Sequence, residues 1–125
     1  MLRNVLHSKI HMAVTTAAKP DYVGSITIDP ILLDACGMRP SDAVEIANCA
    51  NGERFETYVL LGERGKGQIE LNGAAALLVN PGDKLIIMHY AYMTDNEYAS
   101  HHPKVLVMKL DNTIDRIAQY SPGTQ

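Results

Sequence analysis

Residues 43–61 read AVEIANCANGERFETYVLL, and this stretch sets the fold class. Two runs of alternating apolar and polar residues flank Asn51-Gly52, the dipeptide that most favours a tight hairpin turn. The spacing predicts one strand over "AVEIANCA" and a second over "ERFETYVLL", joined by a two-residue turn. On the second strand Arg54 and Tyr58 share one face, while Phe55 and Thr57 share the other. Outward from this hairpin the same rhythm continues. Downstream, "GERGKG" (62–67) turns the chain into a short strand "QIEL", and "NGAAALLV" (72–79) reads as a brief helix with Asn72 at its start. "NPGD" leads into the long strand "KLIIMHYAYM" (84–93), a helical turn follows near "DNEYAS", and "KVLVMKL" (104–110) reads as a last strand. Residues 111–125 show little periodicity beyond a short helix, and are expected to form a loose tail.

Upstream, "DPILLDACG" (29–37) is a compact helix signal, with Asp29 as N-cap, Pro30 in the first turn and Gly37 as stop. "YVGSITI" (22–28) reads as a strand. "VLHSKIHMAV" (5–14) alternates, placing Leu6, Ser8, Ile10, Met12 and Val14 on one face and His7, Lys9 and His11 on the other. Six or seven short strands with frequent turns predict a mainly β fold, a small closed barrel with short helices. The strands follow one another too closely for the helical crossovers of a doubly wound α/β sheet.

With 125 residues the chain reads as one domain, 46% hydrophobic and 20% charged. A formal charge of -3 with no run of Lys or Arg argues against nucleic-acid binding. The longest apolar runs, "AAALLV" and "LIIM", are too short to span a bilayer, and "MLRNVLHSKIHMAV" has no signal-peptide core. Cys36 and Cys49 form neither a metal motif nor a disulfide framework, so reduced thiols in the cytoplasm are expected. Met12, Met88 and Met108 read as core filling. His7 and His11, four apart on a strand, are too widely spaced to chelate a metal, and His101-His102 reads as a surface turn.

Several short groups could carry chemistry. Gly24-Ser25 is either a bulge with a strand hydroxyl, or a bond whose serine attacks the preceding carbonyl, helped by a glycine whose missing Cβ lets the backbone adopt strained angles. Arg54 and Tyr58 are either surface cover or a carboxylate fork beside a proton donor. For Thr57 to serve the same site, the alternation must break with a bulge. Asn72 with Gly73, Ala74 and Ala75 forms either a tightly packed helix start or an unobstructed set of backbone N–H groups for an anion. Lys9 offers a second cation.

In their order and spacing, "SKIH", "YVGSITID", "NGERFETY", "GERG" and "NGAAA" resemble the pyruvoyl-dependent aspartate 1-decarboxylase family over about residues 1–110. The resemblance implies a six-stranded double-psi β-barrel, a homotetramer, and cleavage between Gly24 and Ser25 into segments 1–24 and 25–125. It implies that Ser25 becomes a covalent pyruvoyl group, with neither metal nor pyridoxal phosphate. L-aspartate would form a Schiff base there and lose CO2 to give β-alanine, a precursor of pantothenate and coenzyme A. By the same resemblance Tyr58 is the proton donor and Thr57 the oxyanion partner in processing. Lys9, Arg54, Thr57, Asn72, Gly73, Ala74 and Ala75 would contact substrate. Met12, Asp21, Val23 and Leu77 depart from the family pattern beside these positions, and need for an activating partner in cleavage is left open. Two other classes are kept beside this reading: an uncut barrel acting as a binding module, and a hydrolase using a free N-terminal Ser25.

Overall fold

The computed structural model describes residues 1–121, so the expected loose end at 122–125 lies outside the described residues. In chain order the elements are β1 (Arg3–Val14), β2 (Ala17–Lys19), β3 (Ser25–Ile28), α1 (Pro30–Cys36), β4 (Ala43–Asn48), β5 (Arg54–Leu61), β6 (Ile69–Asn72), a 3-10 turn (Gly73–Leu78), β7 (Lys84–Met93), α2 (Asp95–Ala99), β8 (Lys104–Met108) and β9 (Ile114–Gln119). The strands hydrogen-bond in the order β2-β6-β3-β5-β4-β7-β1-β8-β9. Three neighbouring pairs, β1 with β8, β2 with β6 and β3 with β5, run parallel, and the rest are antiparallel.

The β4–β5 hairpin forms in regular register, with Ala43 opposite Tyr58 and Ala47 opposite Arg54. Its connection is longer than the Asn51-Gly52 signal implies. Gly52 N–H bonds the Asn48 carbonyl at 2.8 Å, closing a wider turn over residues 48–52. Asn48 drives this, because its side chain accepts from Ala50 N–H and donates to Leu78 O and Asp83 Oδ2. Helix α1 forms as its caps predict. Asp29 accepts from Ile31 N–H, and Gly37 closes the helix at φ 82°, a conformation glycine adopts without strain. The same Asp29 carboxylate also takes Gly65 N–H and Gly67 N–H, tying the 62–67 turn to the helix start.

Four expectations are corrected. β1 carries two register shifts, at His7 and at Met12, the latter at φ 66°. Each extra residue reverses the alternation beyond it, so Ala13 rather than Met12 turns inward. Of the three methionines expected in the core only Met108 is buried there; Met12 lies against Cys49 Sγ and Met88 is half-buried. The strand over 22–28 begins only at Ser25, leaving Tyr22, Val23 and Gly24 in a bend. Residues 114–119 are strand β9, paired with β8, not a loose tail or helix, and with β2 they raise the count to nine strands among the described residues. The five-residue antiparallel partner β8 supplies the hydrogen bonds that weak local periodicity does not announce.

Ile10, Ile26, Ile28, Val44, Ile46, Val59, Ile69, Leu71, Leu85, Ile87 and Leu106 pack inward with Leu32 and Leu33 of α1. Their burial leaves the intervening residues of β3, β5 and β6 on the opposite face. No helix among the described residues is long and apolar enough to cross a membrane.

Candidate active site around Ser25

Ser25 opens β3 and is fully buried. It stands opposite Asn72, the last residue of β6, in an antiparallel pairing that also sets Ile26 against Leu71. Because Ile26 and Leu71 face the core, Ser25 and Asn72 share the outer face of the sheet. The Asn72 amide donates to Ser25 Oγ at 2.9 Å and to Thr27 Oγ1 at 3.0 Å, while Ser25 Oγ donates to Val23 O at 3.0 Å. Asn72 therefore does not cap the turn it begins; no side-chain cap bond forms there. Its amide is committed to β3 instead.

The residue after it closes the site from the other side. Gly73 has φ 73°, and a Cβ built on it would sit 2.6 Å from Gly24 Cα and 2.8 Å from Gly24 N. The backbone at 72–73 thus presses directly on the bend before Ser25. Gly24 itself has open space where a Cβ would stand, and its φ lies outside the left-handed region. The expectation that Gly24 supplies the strained backbone is corrected: the glycine whose missing side chain matters sterically is Gly73. Gly73 is buried, Ala74 exposed and Ala75 half-buried, so small side chains leave the first N–H groups of this turn unobstructed.

β5 runs parallel to β3 with Ile26 opposite Val59. Carried back one residue, this register sets Ser25 level with Tyr58; carried back two, it sets Gly24 level with Thr57. Tyr58 shares the outer face with Ser25. The bulge that would bring Thr57 round to that face is absent from the β3–β5 and β4–β5 pairings, so Thr57 and Tyr58 point to opposite faces. Arg54 lies four residues along from Tyr58, exposed and ion-paired with Glu45. Lys9 lies on β1, separated from β3 in the sheet order by β5, β4 and β7. Its ammonium sits 5.4 Å from the centre of the Tyr120 ring and lines a hollow of about 410 Å³ with His11 and Arg116. One chain therefore gathers Gly24, Ser25, Asn72, Gly73 and Tyr58. It does not gather Lys9 or Arg54 with them.

A family model for aspartate decarboxylase matches residues 1–115. The chain belongs to the aspartate decarboxylase family. Aspartate 1-decarboxylase of Bacillus subtilis (strain 168) is 51% identical over 123 residues, spanning 98% of this chain and 97% of that one. The aspartate 1-decarboxylase of Caldicellulosiruptor saccharolyticus is 52% identical over 118 residues, or 94% and 92% of the two chains. Among solved structures, a computationally designed double-psi β-barrel matches with a TM-score of 0.50 and 21% identity, over 66% of this chain and 99% of its own. The fold is the double-psi β-barrel.

In this member of the aspartate decarboxylase family, three residues near Ser25 escape sequence reasoning. Thr27 shares the Asn72 amide, and its only signal is its place two residues beyond Ser25 on one strand face. Lys19 pairs with Asn72 across β2–β6 and bonds Glu70 Oε2 at 3.1 Å. Tyr22, largely exposed, lines with Lys19, Thr27 and Asn72 a hollow of about 360 Å³. Of the departures from the family pattern, Asp21, Val23 and Leu77 are exposed and Met12 occupies the second β1 bulge. Among the described residues no group of three or more His, Cys, Asp or Glu side chains is arranged to hold a metal ion. The histidine expected at the surface, His101, is half-buried: its Nε2 contacts Leu6 O at 3.0 Å and its ring stacks on His7.

Proposed function

We propose that this chain cleaves itself between Gly24 and Ser25 and then decarboxylates L-aspartate to β-alanine and CO2, supplying pantothenate and coenzyme A synthesis. The observation that carries the reading is the buried Ser25 hydroxyl, held between Val23 O and the Asn72 amide beside a backbone that Gly73 clasps. An exposed strand serine needs none of these. The missing Cβ at Gly73 is what lets the backbone of Tyr22 to Gly24, just before position 25, lie this close.

In processing, Ser25 Oγ attacks the Gly24 carbonyl carbon, and its proton passes to the departing amide nitrogen. The result is an ester between residues 24 and 25 and a free amine on residue 25. Loss of the Ser25 α-proton then expels the Gly24 carboxylate, and water replaces the nitrogen of the resulting dehydroalanine, releasing ammonia. Residue 25 is left as a pyruvoyl group. The family resemblance gives Thr57 the negative charge that forms on the Gly24 oxygen; with no bulge in β5 its side chain points to the face opposite Ser25, so that role requires a local shift of β5 during processing.

A pyruvoyl carbonyl supplies the electrophile that takes up an amine and draws off the electron pair as CO2 leaves. Around it the chain's own residues bind, orient and protonate. Tyr58, on the face of Ser25, delivers a proton to the former α-carbon of aspartate. Asn72 and the backbone of Gly73, Ala74 and Ala75 orient the substrate. Arg54 and Lys9 hold the carboxylate that stays; pairing the one that leaves would stabilise the ground state and slow the reaction. Both cations lie apart from Ser25 within one chain, which supports a homotetramer in which neighbouring copies complete each site. The free thiols Cys36 and Cys49 suit the cytoplasm, where we place the reaction.

Intact mass under denaturing conditions tests this. The expected products are fragments 1–24 and 25–125, the second lighter than a serine-started chain by one molecule of ammonia, and blocked to N-terminal sequencing. A chain still whole after prolonged warming would sink self-processing; a cleaved chain with a free N-terminal serine would favour a hydrolase. Ser25→Ala should remain whole and release no CO2 from aspartate.

A further inference from the structure

The Asn72 amide nitrogen has two protons, and each is taken. One goes to Ser25 Oγ at 2.9 Å, the other to Thr27 Oγ1 at 3.0 Å. Both acceptors stand on the outer face of β3, two residues apart, so the amide bridges along the strand rather than across it. Asn72 is almost wholly buried and Thr27 half-buried, and both line the 360 Å³ hollow. An asparagine amide left with one partner turns readily about its last torsion, which is broad and nearly two-fold. Such a turn would exchange donor for acceptor at Ser25. Thr27 opposes it: a β-branched side chain on a strand has few χ1 choices, so its oxygen is a fixed second anchor. With both protons engaged on β3, the amide oxygen faces away from residue 25, and Ser25 Oγ gives its own proton to Val23 O.

We propose that Thr27 is a positioning residue that fixes the Asn72 amide so that its N–H, not its carbonyl, faces residue 25. The proposal rests on the reading of Ser25 as the processed residue. Its consequence extends past cleavage. Once residue 25 has lost its hydroxyl, the bond to Thr27 is the one of these two that survives, and it alone keeps the amide aimed at position 25.

Thr27→Val keeps volume, branching and strand preference but removes the acceptor; Thr27→Ser keeps the acceptor. Cleavage followed by intact mass should run about fivefold slower in Thr27→Val, as expected for one neutral hydrogen bond. Thr27→Ser should return to within about twofold of the starting chain, since its hydroxyl restores that bond. A second measurement does not depend on cleavage. In uncut Ser25→Ala chain, nitrogen–proton spectra should show one Asn72 side-chain proton protected from exchange. That signal is assigned by its disappearance in Asn72→Asp, and its protection should vanish when Thr27→Val is added. Thr27→Val cleaving at the starting rate would overturn the proposal, as would equal slowing in Thr27→Val and Thr27→Ser with lowered melting temperatures. A starting chain that never cleaves refutes the reading of Ser25 instead, and the proton-exchange result then decides the Asn72–Thr27 anchor by itself.

Discussion

Gly73→Ala should be among the most damaging single-methyl changes in this chain, whereas Gly24→Ala, its neighbour in space, should be nearly silent. The new Cβ at 73 would stand 2.6 Å from Gly24 Cα, 2.8 Å from Gly24 N and 3.2 Å from Tyr22 O. Comfortable carbon–carbon contact is about 3.5–4.0 Å, so the backbone must yield by roughly 1 Å. No flexible side-chain end is available to give way, because all three neighbours are main-chain atoms. Alanine held at φ 73° costs a further amount of about 1–2 kcal/mol. Overpacking adds about 1–3 kcal/mol, for a total of about 2–5 kcal/mol. At roughly 3–5 °C per kcal/mol for a chain of this size, the melting temperature should fall by about 6–25 °C. At Gly24 the added methyl meets nothing within 4 Å, so the melting temperature should hold or rise slightly. Both changes belong in a Ser25→Ala background, where cleavage cannot confuse the melts, followed by circular dichroism. A Gly73→Ala chain melting within about 2 °C of its parent, or a Gly24→Ala chain falling as far, would refute this account of the cradle. With Ser25 restored, displacement of Gly24 should slow cleavage by on the order of 100-fold, the usual penalty for a misplacement near 1 Å.

Asp29→Ala removes a carboxylate that takes three backbone N–H groups, and should cost about 2–4 kcal/mol in a urea titration. Burial works against ionisation there, but the N–H groups of Ile31, Gly67 and Gly65, with the Arg64 charge, prevail and hold the carboxyl below its ordinary value of 3.8. Its contribution is complete above that value and is lost as pH falls through the lower folded one, so Asp29→Ala should flatten stability against pH in that acid window. His7 is likewise held below 6.5, chiefly by burial, then by His89, His101 and Lys104 against an opposing Asp42. The neutral ring is the favoured folded form, so stability should decline as pH drops below 6.5 toward the folded value. His7→Gln should remove that part of the slope in melting temperatures measured across pH. Tyr58→Phe should mature and melt normally yet lose about 100- to 10,000-fold in β-alanine formation, and unchanged turnover would remove Tyr58 from the proton-donor role.

What was legible in the sequence and what was not separates along a physical line. The hairpin over 43–61, the caps of α1 and its stop at Gly37 rest on neighbouring residues, and local signals are enough for them. The β1 bulges and strand β9 are settled by partners far along the chain, and they leave little local trace. Asn72 is the instructive case at the site. Its place before Gly-Ala-Ala looks like a helix cap, but a pairing partner 47 residues away captures the amide instead. The residue types of the site are readable in the sequence; which glycine bears the steric load is not, because the close approach of residues 24 and 73 exists only once β3 and β6 pair. The same pairing divides the chemistry. Ser25, Tyr58 and Asn72 are gathered by the ladders β3–β5 and β3–β6 of one chain, so in the function proposed the processed residue and its proton donor are placed by the fold itself. Lys9 and Arg54 are carried on other parts of the sheet, engaged with Tyr120 and Glu45. Recognition of the retained carboxylate therefore belongs, in the function proposed, to the assembly of copies, and processing does not need the cations that catalysis does.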